Sequence, residues 1–264
     1  MKKQKSKAAF KLISGLVAIA LILFFALSLL VNIRKNSGLF KVRDIVIREG
    51  NNPAGNIDIS FLLGRNIFSI DLSEQERIIA TIYPAYKEIK LVRVLPDRLF
   101  AYFLRRRPIA CVKLSRYFYV DDDAVLFDIA GADPELPLIA GLDKKISGPK
   151  AGRKYNLREL STAINIIKII RGNYRLRGLK IKKIDVSDCA NAAFTISLPA
   201  LSQAAGIGAI EVKIGQNYLG DKISILASLL IQGKNDWSNI NYIDLRFKEP
   251  VIKFIDKAQM SKHK

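Results

Sequence analysis

The chain has 264 residues, with 43 Lys and Arg against 24 Asp and Glu, a formal charge of +19, two Cys and a single His. That one histidine, His263, stands at the polar end of the sequence, which excludes a Ser-His-Asp triad and a histidine-built zinc site. The charge is uneven: residues 1–43 hold nine Lys and Arg and no acid, leaving 34 bases against 24 acids beyond them. Such a mildly basic remainder suits anionic lipid head groups or cell-wall polymer as well as anything more specific.

Residues 1–11 form a basic tail carrying Lys2, Lys3, Lys5, Lys7 and Lys11. Leu12 to Val31 follows as twenty residues without a charge, fourteen of them Leu, Ile, Val or Phe. At ~1.5 Å rise per residue a helix of that length covers ~30 Å, the thickness of a bilayer's hydrocarbon core. A cleavable signal peptide is the competing reading, because Ala26-Leu27-Ser28 offers a small-x-small site. Against it, apolar residues continue through Leu29, Leu30 and Val31, and the run exceeds the ~7–15 residues of a signal core. The predicted topology is therefore an uncleaved anchor in the cytoplasmic membrane. The lysine-rich tail lies in the cytoplasm and the bulk outside (periplasmic where an outer membrane exists), although Arg34, Lys35, Lys41 and Arg43 weaken the asymmetry. Nucleic acid is not an expected partner of a chain so placed.

Beyond the span, Phe40–Arg48 is rich in β-branched residues and stops at the turn cluster Gly50-Asn-Asn-Pro53. Ile57–Leu63 carries a short helical pattern closed by Gly64. A second helix is predicted to start at a capping box, Ser73 with Glu76, and to stop at Tyr83 because Pro84 follows. Two strands, Tyr86–Val94 and Leu99–Arg105, are joined by Leu95-Pro96-Asp97-Arg98, read as a type I turn. The expectation is two helices on one face of a three-stranded sheet, a small α+β domain over 38–107 with a core of its own.

From Pro108 the texture changes to short strands: Ile109–Lys113, Tyr117–Val120 and Val125–Phe127, the last after the polar turn Asp121-Asp122-Asp123. Irregular chain is expected around Pro134, Pro137, Gly141 and Gly148-Pro149. Asn156 with Glu159 opens a helix whose Leu157, Leu160, Ile164 and Ile167 form one apolar stripe. Strands at Ile181–Val186, Phe194–Leu198 and Ala209–Ile214, a helix over 221–232, and strands Tyr242–Phe247 and Val251–Ile255 complete a second, mostly antiparallel α+β domain over 108–255. Residues 256–264 read as a frayed polar tail. Cys111 and Cys189 lie in strand-like contexts and read as unpaired small hydrophobes.

These segments, in this order, resemble the bacterial cell-division family FtsQ/DivIB. Phe40-Lys-Val-Arg-Asp-Ile-Val-Ile resembles the first strand of that family's POTRA (polypeptide-transport-associated) domain. Gly64-Arg-Asn-Ile-Phe-Ser-Ile-Asp71 resembles its link between helices, and Val92-Arg-Val-Leu-Pro-Asp-Arg-Leu99 its hairpin. Arg106-Arg-Pro-Ile-Ala110 resembles the junction to a β domain. Leu136-Pro-Leu-Ile-Ala-Gly141, Ile184-Asp-Val-Ser187 and Tyr242-Ile-Asp-Leu-Arg-Phe247 match further on. The chain departs from the family at Ala85 and Tyr86, where a Trp is usual, at Arg105 and at Ala124. The resemblance implies a non-enzymatic scaffold of the division septum. It would bind single-span partners, FtsB-like and FtsL-like proteins, and help coordinate septal peptidoglycan synthesis, with no cofactor, metal or small-molecule substrate.

The residues give no competing chemistry. Gly206-Ile-Gly208-Ala-Ile-Glu211 lacks a dinucleotide fingerprint's third glycine, and Gly233-Lys234 lacks the rest of a P-loop. Asp121-Asp122-Asp123 lacks a calcium loop's central glycine and distal glutamate and reads as a solvated turn. Arg105-Arg106-Arg107 reads as a solvated strand end. A membrane-anchored cell-wall enzyme, or a POTRA-bearing assembly factor, are the alternatives; the first would need a convergent carboxylate pair that nothing singles out. By the resemblance, partner contacts fall on Tyr242, Arg246, Phe247, Lys248, Glu249 and Val251. Phe247 is the expected apolar anchor in a strand-addition contact, with Pro250 limiting the ladder.

Overall fold

The computed structural model describes residues 15–29, 31, 38–50, 52–53, 56–130, 133–197, 209–232 and 240–255. The basic tail 1–11, the glycines 206 and 208, the Gly233-Lys234 pair and the segment 256–264 with His263 lie outside them. Helix α1 covers 15–29, the middle of the apolar run, and every residue in it is exposed. Its large apolar side chains face outward all round, Phe24 and Phe25 at 73% and 70% exposure. Among the described residues no helix is long and apolar enough to cross a membrane; residues 12–14 and 30 of the expected span are not among them. The chain divides into two compact units, Met1–Arg105 and Arg106–Lys264.

In the first unit, strands β1 (Asp44–Glu49), β2 (Asn52–Pro53), β3 (Tyr86–Val94) and β4 (Arg98–Arg105) form a sheet in the order β2-β1-β4-β3. β1 runs parallel to β4, and β3 antiparallel to it. Alternation along the hairpin sends Ile89, Leu91, Leu99, Ala101 and Phe103 into the core, where they meet Ile79 of helix α2 (Leu72–Ile82) and Leu62, Ile67 and Ile70 of the preceding loop. Four expectations are corrected here. β1 begins at Asp44 rather than Phe40, because Phe40, Lys41 and Val42 pair with the loop at 64–67 instead: Ile67 N–H donates to Phe40 O, Gly64 N–H to Val42 O, and Val42 N–H to Arg65 O. Ile57–Leu63 forms only a 3-10 turn at Ser60–Leu62, since Asp58 caps Ser60 and Leu63 turns extended. Helix α2 is capped by Asp71, which accepts from Glu74 N–H, not by Ser73. Glu76 is drawn instead to the open edge of β3, where it accepts from Leu91 N–H at 2.7 Å. The β3–β4 link carries a cis Leu95–Pro96 peptide bond where a type I turn was expected.

The second unit is built on a ten-stranded mixed sheet in the order β14-β13-β12-β11-β10-β8-β5-β6-β7-β9. Its strands are β5 (Ala110–Lys113), β6 (Tyr117–Val120), β7 (Val125–Ala130), β8 (Leu138–Ala140), β9 (Arg153–Lys154), β10 (Lys180–Asp185), β11 (Ala193–Ser197), β12 (Ile210–Lys213), β13 (Ile240–Asp244) and β14 (Val251–Phe254). Helix α3 (Arg158–Gly172) packs on β10 and on helix α4 (Leu219–Gln232), and Leu160, Ile164, Ile167, Ile223 and Leu226 join the sheet's apolar face in one core. β8 lies where irregular chain was expected, yet it is central, running parallel to both β5 and β10. It brings Leu136–Gly141 against Ile184–Ser187: Val186 N–H donates to Ala140 O, and a Cβ on Gly141, whose φ is +91°, would lie 2.6 Å from Ser187 Cα.

The charged turn is also corrected. Asp121 is not solvated: its side chain is 1% exposed and pairs with Arg106 at 2.5 Å, while its other oxygen accepts from Asp123 and Val125 N–H. Arg106, at 13% exposure, is thus a buried ion-pair partner rather than a solvated strand end. Cys111 and Cys189 are buried free thiols, and burial raises the Cys111 pKa.

Candidate partner-binding site

The sheet of the second unit ends at β14, which among the described strands pairs only with β13, antiparallel. Register places Tyr242 opposite Lys253 and Asp244 opposite Val251 on one face, with Ile243 opposite Ile252 on the core side. One row of N–H and C=O groups along β14 is therefore left for an added strand. Around that edge Phe247, Val251 and Phe254 are 63%, 48% and 53% exposed. Three apolar side chains so exposed at one sheet edge mark an interaction surface better than a solvated one.

β13 stops at Asp244, so the expected strand Tyr242–Phe247 is shorter than read, and Phe247, Lys248 and Glu249 fall in a bent link before β14. The cause is local. Asp244, 4% exposed, accepts from the backbone N–H of Arg246 at 3.0 Å, which turns the chain out of the ladder. The same carboxylate accepts from Arg246 Nε at 2.9 Å and Nη2 at 2.6 Å. The Arg246 guanidinium beside it, then the backbone bond, hold the Asp244 pKa below the usual carboxylate range. Arg246 Nη1 also donates to Asn191, whose amide donates to Asp188 at 2.7 Å. Gly215 closes this corner at φ +66°, where a Cβ would stand 2.9 Å from Ala190 O.

Arg246 is therefore committed within its own chain, and its guanidinium carbon lies 5.8 Å from the centre of the Phe247 ring. Lys248 and Glu249 are exposed in the link. On the β13 face, Tyr242 stands between two ammonium groups, Lys213 Nζ at 4.4 Å and Lys253 Nζ at 5.9 Å from its ring centre. Next to this edge, Lys222 at the start of α4 donates to Ile214 O at 2.8 Å, and burial lowers its pKa. The sequence reading missed Phe254, Lys213, Lys253 and the Asp188–Asn191 corner. Alternation puts Phe254 on the same face as core-facing Ile252 and so predicts it buried; the others depend on register, which no local pattern fixes.

The other candidate cluster is Asp121, Asp122 and Asp123, whose carboxylates lie within 4.8 Å of one another. Asp121 is spent on Arg106 and on the turn, which gives the group a structural role.

No protein-family model matches the chain. Among curated proteins it is similar to bacterial cell-division proteins. It is 28% identical over 233 residues to the cell division protein FtsQ of Syntrophotalea carbinolica, covering 85% of this chain and 77% of that one. It is 22% identical over 194 residues to FtsQ of Koribacter versatilis (72% and 52%), and 24% identical over 172 residues to FtsQ of Geotalea daltonii (64% and 58%). The chain thus spans about half the length of the Koribacter relative. Together the matches support the FtsQ/DivIB family.

Proposed function

We propose that this chain is a non-enzymatic scaffold of bacterial cell division, anchored by residues 12–31 in the cytoplasmic membrane at the septum. In this reading residues 38–107 act as a POTRA domain and 108–255 as the family's β domain. The second holds an FtsB-like partner, itself paired with an FtsL-like protein, and so helps time septal peptidoglycan synthesis. The anchor reading is supported by the sequence of the run and by the outward apolar side chains of α1, which water would not tolerate as a lone helix.

The observation that carries the partner reading is the open β14 edge flanked by exposed Phe247, Val251 and Phe254. Backbone pairing alone falls short. Four or five ladder bonds at a net ~0.5–1.5 kcal/mol give a few kcal/mol, whereas micromolar affinity needs about −8 kcal/mol. Burying most of one Phe adds ~1.5–3 kcal/mol, and co-anchoring in one membrane raises the effective concentration. Phe247→Glu should weaken capture of the FtsB-like partner by tenfold or more with unchanged melting. Undiminished pull-down by that variant would remove Phe247 from the site.

A further inference from the structure

We propose, resting on the anchor reading above, that the end of the first unit where the chain enters it is a docking surface for an anionic phospholipid bilayer. The entry segment 38–43 and the β3–β4 tip lie side by side: Arg43 N–H donates to Asp97 O at 2.8 Å, and β1 and β4 start in register at Asp44 and Arg98. The 64–67 loop joins them through its pairing with Phe40 and Val42. Three separate stretches of chain therefore converge at one end of the sheet.

That end carries exposed apolar side chains from each stretch: Leu39 at 63%, Leu63 at 44%, and Val94 and Leu95 at 44% and 58%. None of the four belongs to the unit's core. Interspersed with them are the exposed bases Lys41, Arg43, Arg65 and Arg98; the two acids at this end, Asp97 and Asp44, lie 3.9 Å from Arg43 and Arg98 in solvent-exposed ion pairs, so the bases remain in excess. Apolar side chains that reach the head-group boundary, ringed by bases that meet phosphates, are the composition of an interfacial membrane contact. A protein partner would also accept such a surface, but the tether decides for lipid. From residue 31 to residue 38 the chain reaches at most ~25 Å, so this end is held within that distance of the bilayer surface and the opposite end of the sheet is not.

The test uses the full-length chain with its single tryptophan replaced, Trp237→Phe, reconstituted into vesicles rich in brominated phosphatidylglycerol. Tryptophan is then placed at Leu95→Trp, at Ile82→Trp or at Phe24→Trp. Ile82 is an equally exposed apolar control at the far end of the unit, one β3 strand length or ~26 Å away. Quenching at Leu95→Trp should exceed that at Ile82→Trp by at least about threefold. The excess should fall when phosphatidylcholine replaces the anionic lipid, or when Arg43→Glu and Arg98→Glu are introduced. Equal quenching at the two positions, with Phe24→Trp strongly quenched, would overturn the docking surface and leave the anchor standing. No quenching at Phe24→Trp would overturn both.

Discussion

Replacing Arg246 by Met should loosen the link that presents Phe247, and the size of the effect follows from the pair it breaks. Asp244 would keep only the backbone N–H of residue 246 and lose three side-chain contacts. A buried acceptor stripped of a charged partner costs ~1–3 kcal/mol. Arg246 is 30% exposed, so water can replace part of the guanidinium, which places the cost nearer ~1–2 kcal/mol. For a unit of about 150 residues that lowers the melting temperature by ~3–6 °C, read by calorimetry in detergent. Asp244→Asn alone should cost a similar amount, and the double variant should cost much less than the sum. The acid dependence has a definite sign. Because Arg246 depresses the Asp244 pKa in the folded state, the contribution is fully present above the ordinary carboxylate value of ~3.9 and is lost as pH falls through the lower folded value. Wild type and Arg246→Met should thus converge in stability once the pH has fallen below that lowered folded value. Additive costs, or a gap between the two that persists unchanged in strong acid, would refute this reasoning.

Gly141→Ala should cost more than ~3 kcal/mol, because it combines a left-handed φ with a Cβ driven into the Ser187 backbone; a urea midpoint matching wild type would contradict the contact between β8 and the end of β10. Glu76→Ala should speed amide exchange at Leu91 and cost ~1–2 kcal/mol, whereas Glu76→Gln keeps the acceptor and should retain most of the protection. Unchanged exchange in the Ala variant would show that Glu76 does not cover the β3 edge.

Elements with strong periodicity were legible in the chain itself. Tyr86–Val94 has the bounds the alternation predicts, and the stripe Leu160, Ile164, Ile167 does line the core beneath the sheet. What escaped depended on partners far away in sequence. β8 has three residues, too few to show a period, and it becomes a strand because β5 and β10 flank it. The Ser73–Glu76 spacing was that of a capping box, but the N–H of Leu91 fifteen residues on was the better use for the Glu76 carboxylate. Arg106 and Asp121 each looked like surface charge until folding buried them together. At the candidate site, Phe247 and Val251 are partner residues that the family resemblance implies, and both are exposed beside the open edge. The Asp244–Arg246 turn that ends β13 early was hidden, since an Asp two residues before an Arg is equally at home in a continuing strand.

The most direct test is a photocrosslinker placed at Phe247 in growing cells, with the same probe at Ile82 as an exposed control. Specific capture, in dividing cells, of a small single-span coiled-coil protein from position 247 and not from position 82 is the expected result. The same pattern from both positions, or no such partner at 247 while the chain still gathers at the septum, would contradict partner binding at the β14 edge.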